Sequence, residues 1–207
     1  MDVQKNGPED ALARAKRKRA QSAQRAYCPI MEVRQRLSDE TRDAVAGLLL
    51  EENPADAHDA QVILEADPAT NDDPDALDLL GVSLRSQGKF IAAKEVTERA
   101  MRLKNARSLA QLAAIHFDLG EIDLAVKLAR EAVSNNSHIP QAWINYLHGL
   151  AKQANTDQLQ REWERLGVEF PTWRSNVTFV DQLTRDVVMV LGPESPVARQ
   201  LIKEIGE

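Results

Sequence analysis

The chain has 207 residues, enough for one domain with a substantial core, and 43% of them are hydrophobic, so it is expected to fold. Only 4% are aromatic, Ala, Leu, Glu, Gln and Arg dominate, and no apolar run reaches the roughly 20 residues a membrane-spanning helix needs, which argues for an all-α protein without a span. The net charge of −6 hides an asymmetry: residues 1–36 hold nine Lys/Arg against four acids, so the remainder carries −11. Cys28 is the single cysteine, which excludes an intrachain disulfide. With no apolar stretch after the first basic residues, the expectation is a cytoplasmic protein.

Residues 1–36 read as a basic arm, helical or disordered. Pro8, Glu9 and Asp10 suit a helix start, but Leu12 is its one large apolar residue, so such a helix has little to bury. Lys16, Arg17, Lys18 and Arg19 form a basic cluster. It is read as a solvated tail first, and otherwise as a patch for phosphate, membrane surface or an acidic partner. No aromatic side chains alternate with these cations, which weakens the nucleic-acid reading. Tyr27 to Met31 is a small apolar knot, and Cys28 inside it reads as an inert buried thiol.

Residues 37–73 form a degenerate hairpin and linker. Ser38 is an N-cap with Asp39 and Glu40 in the first turn, and Asn53-Pro54 ends that helix before a second runs to Ala66. Asp67 to Pro74 is expected to be an exposed, breaker-rich connection.

Residues 74–171 repeat. Leu77, Leu80, Gly81, Leu84, Gly88, Phe90, Ala93 and Ala100 align with Leu109, Leu112, Ala113, His116, Gly120, Ile122, Ala125 and Ala132. Gly88 and Gly120 lie 32 residues apart in matching turns. A third copy runs through Trp143, Tyr146, Leu147, Leu150, Ala154, Leu159 and Leu166 to Pro171. This is the period of a helix-turn-helix solenoid. Residues 172–207 are expected to be C-terminal capping helices. Thr172 is read as the cap of a helix carrying Trp173, Val177, Val180, Leu183 and Val187. Ser195-Pro196 starts the last one, with Val197, Leu201, Ile202 and Ile205 on one face. The other reading of those apolar faces is a homodimer contact.

The aligned residues resemble the tetratricopeptide repeat (TPR). The first copy keeps Leu80-Gly81, Gly88, Phe90, Ala93 and Ala100, with Asn105 where Pro is usual. The second keeps Gly120, Ala125 and Ala132. The third has Trp143 and Pro171, but Leu147, Ala154 and Leu159 replace a small residue, Gly and Ala. The resemblance implies a right-handed α-α superhelix of three to four hairpins whose first helices line a concave, partner-binding face. In that register the face carries Asp78, Val82 and Arg85, then Arg107 and Phe117, then Ile144, Asn145, His148 and Lys152. Arg85, Arg107 and Lys152 are candidates for holding a carboxylate, and Phe117 and Ile144 for an apolar floor. Some members grip a chaperone's C-terminal carboxylate with Lys and Asn. Those positions hold Asp78, Val82, Ala110 and Ala114 here, so that clamp is not expected.

No Gly-rich phosphate loop and no close Cys or His pair occurs, so no cofactor or metal is expected and an enzyme is the less favoured class. The leading expectation is a non-catalytic adaptor or scaffold for a protein or peptide. The alternatives are a small acidic TPR chaperone of bacterial secretion and a regulator touching nucleic acid through the basic arm.

Overall fold

The computed structural model describes residues 36–49, 53–103, 105 and 107–206. The basic cluster and Cys28 lie outside them. Described helices are α1 (Asp39–Leu49), α2 (Pro54–Ala66), α3 (Pro74–Ser86), α4 (Phe90–Arg102), α5 (Ser108–Asp118), α6 (Ile122–Asn135), α7 (Pro140–Lys152) and α8 (Thr156–Glu169). Next come α9 (Val177–Leu183), a π-helical turn (Thr184–Val188) and α10 (Met189–Leu191), running on as one rod, then α11 (Pro196–Gly206). No strand occurs among the described residues.

The helices start where local chemistry places them. Proline occupies the first helical position of α2, α3, α7 and α11, where its missing N–H costs nothing. Asn53, Asp73, Asn155 and Asn176 cap α2, α3, α8 and α9 through side-chain oxygens that accept backbone N–H groups. The three repeat turns share one bonding pattern. Lys89 donates its N–H to Leu84, Glu121 to His116, and Asn155 to Leu150, each a bond that satisfies an orphan carbonyl at the helix end. The residue before each donor adopts positive φ: 73° at Gly88, 78° at Gly120 and 52° at Ala154. Glycine does so without a Cβ clash, while Ala154 bears strain.

From α1 to α8 each helix packs on the next, and the first helices α3, α5 and α7 also pack on one another. Described residues thus form the TPR-like, all-α solenoid of hairpins expected from the repeat. Side chains lock neighbouring helices by reaching for backbone carbonyls. Ser83 donates to Ala57 O at 2.5 Å, Gln111 to Asp78 O at 3.1 Å and Asn145 to Ala110 O at 2.7 Å.

Two features differ from the sequence expectation. The 67–74 connection is not simply exposed: it contains a 3-10 turn, Pro68–Asn71, and buries Ala69, Thr70 and Asp73. Asp73, 1% exposed, accepts from Asp75 N at 2.9 Å and from Leu37 N at 2.8 Å, so one carboxylate caps α3 and ties down the entry to α1. After Pro171, Thr172 does not cap a helix with its side chain. Trp173–Ser175 forms a 3-10 turn and Asn176 is the cap, because its side chain reaches Phe179 N at 3.0 Å.

Candidate functional site

A hollow of about 360 Å³ lies on the face of the first helices. Its lining comprises Arg85 of α3, Ala114, Phe117 and Asp118 at the end of α5, and Gln141, Asn145, His148 and Lys152 along α7. Gln182, Arg185 and Asp186 of the C-terminal rod complete it. The i, i+4, i+7 and i+11 spacing of the α7 residues sets them on one stripe of that helix.

The floor is a pair of stacked rings. Phe117 and His148 have centroids 5.2 Å apart and an interplanar angle of 15°. Gly149 makes this contact possible. A Cβ there would sit 2.8 Å from Phe117 Cζ and collide with a methyl of Val126, so any larger residue would push the ring out of place. Burial pushes the His148 imidazole below its ordinary pKa, against the opposing pull of Asp186 and with help from Lys152. His148 is therefore neutral near pH 7 and presents an aromatic surface rather than a charge.

The charged residues divide into committed and available groups. Arg85 Nε donates to Asp118 Oδ2 at 2.5 Å, a bond between consecutive hairpins that occupies both side chains. Arg185 meets Asp186 at 3.8 Å, the long edge of an ion pair. Lys152 is exposed and forms no ion pair among the described residues.

Of the residues chosen from the repeat register, Arg85, Phe117, Asn145, His148 and Lys152 line this hollow. Arg85 is held by Asp118. Asn145 is 4% exposed and committed to Ala110 O and to Gln141 Nε2, so it braces the floor. Ile144, 2% exposed, belongs to the hydrophobic core and not to an apolar floor, because it lies on the flank of α7 that packs inward. Asp78, Val82 and Arg107 lie outside the hollow's lining. Asp78 is buried, its Oδ1 has no hydrogen-bond partner, and burial raises its pKa to about 7, against the attraction of Arg107.

Gln182, Arg185 and Asp186 were not among the sequence candidates, since residues 172–207 read as a seal. The signal available was the strict spacing of four in Phe179, Leu183, Val187 and Leu191. In a regular α-helix each step of four overshoots a turn by about 40°. The π turn is wider and takes up that drift, so Phe179, Leu183 and Val187 are all buried. The rod packs on α7, as a further first helix would, and α11 packs on the π turn behind it.

No protein-family model matches the chain, and no curated protein matches it. Among solved structures it is similar to one described as YrrB, a TPR protein with an unusual peptide-binding site. The two are 16% identical with a TM-score of 0.46, over 80% of this chain and 94% of that one.

Proposed function

We propose that this chain is a non-catalytic, cytoplasmic adaptor that holds an extended segment of another protein in the hollow of its first helices. The observation behind this reading is the lining itself. Three successive hairpins and the C-terminal rod each contribute side chains to one open face, with a flat ring pair at its floor and polar groups around it. Such a mixture suits a peptide, which needs apolar anchoring for its side chains and hydrogen bonds for its backbone.

The test is photo-crosslinking from source cells. A photoreactive residue at Phe117 should capture a protein partner that the same residue at Glu95, exposed on α4, does not. Equal capture from both positions, or none from Phe117, would contradict the reading. A secretion chaperone is a narrower version of the same activity, distinguished by a captured partner that is itself exported. The nucleic-acid reading depends on Lys16 to Arg19 and predicts binding that weakens steeply with salt. A homodimer through the C-terminal helices is motivated by Val177 and Met189, which are 70% and 75% exposed, and sedimentation would decide it.

A further inference from the structure

The hollow carries a charge opposite to that of the chain. Three cations, Arg85, Lys152 and Arg185, line it against two acids, Asp118 and Asp186, whereas the whole sequence carries −6. Arg85 and Asp118 neutralise each other. What remains is Lys152 without an ionic partner, and Arg185, whose side chain is 62% exposed and only loosely held by Asp186. Both face the same hollow as the Phe117–His148 ring pair. Arg185 is there because of the rod. Gln182 and Asp186 are four apart, and the π turn that keeps Leu183 and Val187 on the buried side also keeps Gln182, Arg185 and Asp186 on the side facing the hollow. π turns occur often at functional sites.

Building on the proposed adaptor role, we propose that the C-terminal rod is a working wall of the groove and not a seal. Lys152 and Arg185 select an extended segment whose acidic side chain lies between them. A neighbouring flat or apolar side chain of the same segment rests on Phe117 and His148. An anion drawn to this spot gains from local positive potential in an otherwise acidic molecule, which fixes register and speeds encounter.

The test uses a phage-displayed library of random peptides, selected in parallel on the full chain, on a Lys152→Glu, Arg185→Glu double variant, and on Gln141→Trp, which fills the groove from α7. Both reversed positions are exposed, and thermal melting checks that the variant folds. A Lys152→Gln, Arg185→Gln variant serves if it does not. The expected result is enrichment of Asp or Glu beside an aromatic or apolar residue. Binding should fall by roughly tenfold or more in the reversed variant, which should instead select Lys or Arg at the same place, and by less in the Gln variant. Peptides blocked by Gln141→Trp but indifferent to the charge reversal would overturn this inference and leave the adaptor reading standing. If no selected peptide is blocked by Gln141→Trp, both fall.

Discussion

The two halves of the solenoid are built from different materials. The N-terminal half, around α1 to α4, has a core of Leu, Ala, Val and Ile without a fully buried aromatic ring. The C-terminal half holds all three tryptophans of the chain, Trp143, Trp163 and Trp173, with Tyr146 and Phe179. Trp163, Trp173 and Phe179 meet edge to face at centroid distances of 5.0 and 6.1 Å. Charge divides the same way. Residues 37–102 hold fifteen acids and six bases, while residues 103–207 hold thirteen and eleven. Buried polar groups occur in both halves: the Asp73 hub and the unpartnered Asp78 Oδ1 and Thr97 Oγ1 in the first, the unpartnered Trp173 Nε1 in the second. Large rings hide more apolar surface per residue than Leu or Ala and so contribute more stability. The C-terminal half is therefore expected to be the more stable, and it supplies all of the groove's lining except Arg85 of α3.

The largest effect that would break this contrast is truncation of Trp143. It is fully buried, and its Nε1 donates to Ser137 O at 2.8 Å. Trp143→Ala should cost about 3–5 kcal/mol, measured by chemical denaturation, whereas Leu80→Ala in the N-terminal core should cost about 2–3 kcal/mol. Equal losses would erase the distinction. Next is Asp73→Ala, which removes a cap and orphans the Leu37 amide; a loss of about 2 kcal/mol is expected. Hydrogen exchange should show faster opening of α1 and α2 than of α7.

Asp78 sharpens the contrast through pH. Its folded-state pKa of about 7 lies above the 3.8 of an unhindered aspartate. Between these values the folded chain binds more protons than the unfolded one, so this group lowers stability as pH rises from about 4 to 7. Asp78→Asn should flatten that slope and stabilise the protein by about 1–2 kcal/mol above pH 7, read as melting temperature against pH. An unchanged slope would show that Asp78 is already well solvated or paired. The smallest effect is Ala154→Gly. It relieves the one described non-glycine residue at positive φ and should raise stability by up to about 1 kcal/mol.

The repeat was legible because its turns are. Gly88 and Gly120 mark two positive-φ positions, and the alignment places Ala154 at the third despite its side chain. The register then located Phe117, His148 and Lys152 on the inner face, since helical spacing is all that assignment requires. It failed where neighbours decide. Ile144 is one residue before Asn145, and only packing tells which flank of α7 turns inward. Asn145 and Arg85 reach the groove but are tied to Ala110 and Asp118, ties that depend on the distance between hairpins. The rod's contribution was hidden because a π turn has no simple sequence mark, and the Asp73 hub because one of its donors is the Leu37 amide, 36 positions away.

The residues that a bound segment touches decide most directly whether the hollow is the working surface. Adding the best selected peptide to isotope-labelled protein should shift the ring signals of Phe117 and His148 and the side-chain signals of Lys152 and Arg185. The methyl signals of Ile91 and Val168, exposed on α4 and α8, should stay in place. Shifts at Ile91 or Val168 with still rings at Phe117 and His148 would contradict that role for the hollow.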